Sequence, residues 1–202
     1  MVTVLILIVV VKATKVVLFP KSLYVSVLHG SIWFSSNSSD PPTLLFDINL
    51  RIDNPRKRVN MYYVDVVAFL FDNDTPASST HPSSDSFVYF SQRDKLMGPQ
   101  QSAIFSLLLI AQPITIEPRF FNLLYNNESA SMSGVTMRMD ATLLTEDMTS
   151  GGYYNTSRPV TYYCWPLVIL HHKNFPDDPL VLENFVQKDN VFCRDAQESH
   201  FI

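Results

Sequence analysis

Leu44, Phe46, Ile48, Leu50 and Ile52 alternate with Leu45, Asp47, Asn49 and Arg51. This period of two, broken only at Leu45, predicts a strand with one face buried. Val135, Met137, Met139, Ala141 and Leu143 alternate in the same way with Thr136, Arg138, Asp140 and Thr142. Segments 23–33, 59–71, 86–92, 103–110 and 160–170 alternate less but are rich in Val, Ile, Tyr and Phe, and they read as further strands. Turn chemistry separates them: the polar break 37–42, the turn initiator Asp53-Asn54-Pro55, the Ser/Thr/Pro/Asp loop 72–85, Gly98-Pro99 and 149–152. Pro118, followed by Phe120, Phe121, Leu123, Leu124 and Tyr125, predicts one short amphipathic helix. About seven strands at this spacing predict an all-β domain, an antiparallel two-sheet sandwich over residues 20–170; strand count alone admits a barrel as the alternative. Residues 171–202 hold only short apolar islets and read as a polar C-terminal tail.

Residues 1–19 form an apolar segment of their own. Val4 to Val11 is unbroken, Lys12 and Lys15 interrupt, and Val16 to Phe19 resume. A spanning helix needs about 20 apolar residues, and each lysine at mid-membrane costs roughly 2.5–3.5 kcal/mol on the insertion scale. A signal peptide needs a basic leader and a small-residue cleavage site, and neither is clear. The segment also reads as a membrane anchor truncated at its start, or as a buried first strand. Membrane association through residues 1–19 is the expectation.

Composition narrows the classes. A chain of 202 residues with 47% hydrophobic and 12% aromatic residues builds a core, which excludes wholesale disorder. A net charge of −4 excludes a basic nucleic-acid binder. Two cysteines cannot build a zinc framework.

Catalytic chemistry is missing from the sequence pattern. There is no nucleophile elbow and no glycine-rich phosphate loop. His171 and His172 are adjacent, which in a strand sends their rings to opposite faces. Asp72-Asn73-Asp74 resembles the start of a calcium loop, but Ala77 stands where the glycine is required. Arg56-Lys57-Arg58 reads as a solvated turn. No catalytic, metal or cofactor residues are therefore expected, and the chain is not expected to be an enzyme. Cys164 and Cys193 form a disulfide in an oxidising compartment and stay free in the cytosol. Asn37, Asn73, Asn127 and Asn155 head four glycosylation sequons, all in or beside segments that read as loops.

The strand 44–52 runs into Asp53-Asn54-Pro55-Arg56, then Val59 and Met61-Tyr62-Tyr63. This resembles the strand, Asn-Pro-Asn turn and Tyr-Tyr strand of the plant late embryogenesis abundant group 2 proteins, also described as the hydroxyproline-rich glycoprotein family and as harpin-induced-like proteins. Phe19-Pro20-Lys21-Ser22-Leu23-Tyr24-Val25 is similar to their stretch after a single membrane anchor, and Phe87 to Gln92, Ser133-Gly134-Val135 and Cys164 fit further on. Arg56 stands where the family's second Asn is usual, and Phe90-Ser91-Gln92 replaces its Pro-Phe part. The resemblance implies a fibronectin type III or immunoglobulin-like sandwich on a single-pass protein of the plasma membrane or endomembranes, with the domain on the extracytoplasmic side. It implies roles in plant defence and abiotic stress response, without enzymatic activity, through protein partners that the sequence does not identify. Asn54 and Pro55 read as a structural turn. Two other functions are open. One is a lipid-binding or membrane-contact module, in which Tyr62, Tyr63, Phe69, Phe71, Phe87 and Phe90 line a groove for an acyl chain. In the other, the chain is a soluble intracellular stress protectant with free thiols.

Overall fold

A computed structural model of the chain describes residues 3, 4, 6, 23–35, 42–57, 59–112, 116–126, 131–149, 152–172 and 190–196. The alternating segments become strands: β1 (Tyr24–Ser35), β2 (Thr43–Asp53), β3 (Val59–Phe71), β4 (Val88–Gln92), β5 (Lys95–Met97), β6 (Ser102–Ala111), β7 (Met132–Thr149), β8 (Gly152–His172) and β9 (Val191–Asp195). One helical turn, α1 (Pro82–Asp85), precedes β4, and α2 (Pro118–Asn126) precedes β7. Pro118 opens α2, which buries Phe120, Phe121 and Leu124 and leaves Leu123 exposed. Its Phe120 ring lies 4.9 Å from that of Phe87.

The sheet runs β4-β3-β7-β8-β9-β1-β2-β6, with β5 also on β3. All pairings are antiparallel except a parallel stretch between β1 and β8, from Gly30 opposite Ile169 to Trp33 opposite His172. The end strands β4 and β6 come back against each other. Phe46 of β2 meets Phe90 of β4 edge to face at 6.3 Å, and the Lys95 ammonium of β5 lies 5.1 Å from the Phe105 ring of β6. The chain is thus one nearly closed barrel-like sheet, not the expected two-sheet sandwich. The all-β content follows from the alternation, but the division into two layers does not. A sandwich and a barrel both bury every second residue, so the period of two is the same in each. What separates them here is strand length and bulging. β7 and β8 have 18 and 21 residues, and bulges interrupt the ladders of β3, β7 and β8. Bulges increase local twist, which lets a long sheet coil onto itself. At one of them Gly134 takes φ +75, a left-handed conformation that a residue with a Cβ adopts at a cost.

The interior is the alternating set: Val25, Phe46, Ile48, Leu50, Met61, Leu70, Phe90, Met137, Leu143 and Tyr162 are among those buried. Each such large apolar side chain contributes about 1.5–3 kcal/mol of transfer free energy. Residues 191–195, within the segment that reads as a tail, form β9 near the middle of the sheet. β9 fills the gap where β8 and β1 diverge: Cys164 lies opposite Cys193 on one side, and Ser26 opposite Phe192 on the other. The predicted N-terminal membrane segment lies outside the described residues apart from 3, 4 and 6. Among the described residues no helix is long and apolar enough to cross a membrane.

Candidate functional site

The Asn54-Pro55 turn is built around one buried amide. Asn54 Nδ2 donates to the carbonyls of Val59 at 2.9 Å, Met97 at 3.2 Å and Gly98 at 2.9 Å. Its Oδ1 accepts from the Arg56 amide at 3.0 Å, and its own amide donates to the Gln101 carbonyl at 2.8 Å. Both amide protons of this buried side chain are committed within the protein, so it has no donor left for a ligand. The turn joins the end of β2, the start of β3 and the 98–101 loop.

Cys164 and Cys193 are bonded, with S–S 1.96 Å, across the β8–β9 ladder. Of the four sequon asparagines, Asn73 is exposed in the loop after β3. Asn155 lies within β8, opposite Glu146 of β7 on the backbone ladder, and not in a loop. Asn37 and Asn127 lie outside the described residues. Asn155 read as a loop residue because Gly151-Gly152 and a run of Asn, Thr and Ser mimic turn composition; the partner strand β7 overrides it. Lys57 is exposed and Arg56 partly buried, while Arg58 is outside the described residues. Among the described residues no three His, Cys, Asp or Glu side chains gather as metal ligands.

Most of the aromatics that suggested a lipid groove are core residues. Tyr63, Phe69, Phe71, Phe87 and Phe90 are buried. Tyr62 instead donates its hydroxyl to Glu146 Oε2 at 3.0 Å. The interior gap beside Tyr63, Leu50, Phe105 and Met139 measures about 20 Å³, against the few hundred cubic ångströms of a ligand pocket. A wider, open depression of about 380 Å³ lies on the surface between α1 and α2, lined by Ser83, Ser86, Phe87, Tyr89, Ile116 and Glu117.

Two polar clusters escaped the sequence reading. On the outer face of β1, β2 and β6, Ser106 Oγ donates to Asp47 Oδ1, and Asn49 Nδ2 lies 3.4 Å from that same oxygen and 2.8 Å from His29 Nε2. The composition hints at a serine–histidine–aspartate relay, but the order of contacts is wrong. Asn49 stands between the imidazole and the acid, and the Ser106 proton goes to Asp47, so His29 cannot take it. Loss of solvent lowers the His29 pKa, partly offset by the Asp47 charge. Inside the barrel, the Tyr63 and Tyr162 rings meet edge to face at 6.1 Å, near the buried Asp195, whose Oδ2 is 3.9 Å from Arg158 Nη2. Burial, then the Tyr162 phenol and the Asp195 charge, push the Tyr63 phenol well above its usual range. The signal for both clusters in the sequence is only a set of polar residues in strands, whose partners lie on strands of unknown register.

The exposed apolar side chains are the feature that most resembles a binding surface. Among them, Phe192 is 72%, Ile104 64%, Trp165 60% and Tyr24 54% exposed, and Leu108 and Ile110 are exposed toward the other end of β6. The ladders put Ile104, Arg51, Ser26 and Phe192 in one row across β6, β2, β1 and β9. The antiparallel register that sets Tyr163 opposite Arg194 and Cys164 opposite Cys193 brings Trp165 level with Phe192. Tyr24 sits in the next outward position of β1, opposite Asp53. No protein-family model matches the chain, and no curated protein matches it.

Proposed function

We propose that this chain is a non-enzymatic, membrane-associated β-domain that stands on the extracytoplasmic side of a plant membrane and acts in defence or abiotic stress response. The observation that carries the compartment is the Cys164–Cys193 bond. A structural disulfide persists in an oxidising space and is reduced in the cytosol. The apolar residues 1–19 and the exposed sequon at Asn73 support the same side. The resemblance of the Asn54-Pro55 strand exit and the residues around it supports the defence and stress role. Recognition of partners falls to the loops and the outer face, since the interior is filled by the core. The lipid-groove reading is weaker, because five of the six aromatics that suggested it are spent on packing. The intracellular protectant reading predicts two free thiols, and the Cys164–Cys193 bond weighs against it.

Expression in plant cells tests this directly. Fractionation should find the chain with membranes, glycosidase should lower its apparent mass, and alkylation before reduction should label neither cysteine. A soluble chain that shows no mass shift and two alkylated cysteines would falsify the reading.

A further inference from the structure

The chain enters the barrel beside its exposed aromatic row. Only residues 20–23 separate Phe19, the end of the apolar segment, from Tyr24, the first residue of β1. Five residue steps span at most about 18 Å even when fully extended. Whatever holds residues 1–19 therefore holds the Tyr24 end of β1 close by. At that end lie Tyr24, Ile104, Trp165 and Phe192, all more than half exposed, together with the cations Arg51 and Arg194. Asp53, the nearby acid, is engaged by Arg51 at 3.2 Å. Tyr and Trp with one apolar body and one polar tip, flanked by Arg, are the side chains that settle at the lipid–water boundary.

We infer that this row is a membrane-seating surface: Tyr24, Ile104, Trp165 and Phe192 rest in the phospholipid headgroup layer, and Arg194 meets a headgroup phosphate. The inference rests on the membrane-associated reading above and goes beyond a mere tether, because it fixes which face of the barrel is turned to the lipid. It leaves the opposite end, including the strand ends at Ser35 and Thr43, directed away from the bilayer.

Trp165 is its own reporter, because the only other tryptophan, Trp33, is 4% exposed. The full chain is reconstituted into phosphatidylcholine vesicles with and without brominated acyl chains. The emission of Trp165 is taken as the difference between the wild type and Trp165→Phe. Seating predicts quenching of that difference by brominated lipid and a loss of its quenching by aqueous acrylamide. Phe192→Ser, a change at an exposed position that keeps the fold, lowers the seated-to-free ratio about tenfold by removing one large apolar contact. A chain that floats with the vesicles but keeps Trp165 unquenched by lipid and open to acrylamide overturns the seating surface and leaves the tether standing. A chain that does not float overturns both. Lipid quenching that Phe192→Ser leaves unchanged also overturns this assignment of the face.

Discussion

The Asn54 turn and the β8–β9–β1 junction lie at the same end of the barrel, and they are held by different means. At the turn, one amide side chain satisfies three carbonyls and one backbone N–H, and the residues it joins are the next few in sequence and one neighbouring loop. At the junction, a five-residue strand from the far end of the chain fills a gap between two strands. Phe192 and Arg194 face out, Val191 and Cys193 are only partly buried, and Asp195 is the buried member. That is too little apolar area to keep so short a strand in place. The covalent bond to Cys164 supplies what packing does not. Hydrogen bonds can hold a turn whose partners are already near, whereas a distant strand with a small interface needs a link that limits the unfolded chain.

The largest expected effect comes from removing that link. Cys164→Ala with Cys193→Ala opens a loop of sequence separation 29 and should cost about 3–4 kcal/mol in the chain-entropy account. Urea denaturation measures it, and amide exchange should show β9 losing protection before any other strand. Uniform loss across the sheet instead would mean that β9 is held by packing after all.

Asn54→Ala comes next, at about 2–3 kcal/mol, because buried carbonyls lose their donor. Asn54→Asp should be at least as harmful, since it turns a carboxylate oxygen toward the same carbonyls. If both variants unfold at the wild-type urea midpoint, the turn is held by Pro55 and the backbone alone.

Gly134→Ala tests a third kind of support, purely steric. The left-handed φ of +75 and a Cβ position 3.2 Å from Asn73 Oδ1 predict a loss of about 1–2 kcal/mol. Adding Asn73→Ala removes the contact and leaves the backbone term, so the double variant should recover only part of the midpoint.

The smallest effect is a pH dependence. Burial lowers the folded His29 pKa below its ordinary 6.5, so the unfolded chain binds the proton more readily. This contribution to stability is present above about pH 6.5 and is lost as pH falls through the folded value. His29→Gln should flatten the wild-type decline in that window, as read by thermal melts at a series of pH values. An unchanged decline would assign it to other groups.

Much of the architecture was legible because burial writes itself into the chain at a spacing of two. β2 and β7 follow from Phe46, Ile48 and Leu50 and from Met137, Met139 and Ala141, and α2 follows from Pro118. The turn at Asn54 was also legible, since Asn and Pro constrain the backbone where they stand. Closure into a barrel was not, because it depends on how far β7 and β8 extend and where they bulge, and alternation carries no record of either. β5 and β9 escaped for a related reason: with three and five residues they offer too few positions for a period to register. The outward row of Tyr24, Ile104, Trp165 and Phe192 was illegible because its members come from four strands whose registers only the folded sheet sets.

The place of β9 also has a consequence for how the protein is made. Synthesis delivers β1 before the seven strands β2 to β8 and β9 after them, yet β1 and β9 are neighbours in the sheet. β1 can pair early with β2, and β3 with β7, and β8 joins these halves only where Gly30 to Trp33 run beside Ile169 to His172, so the rest of the seam stays open until β9 has left the ribosome. A chain ended after β8 would hold eight of the nine described strands and still leave the first residues of β1 without their second ladder partner. To the chaperones and proteases that survey new proteins, such a product exposes unpaired strand edges and reads as unfinished.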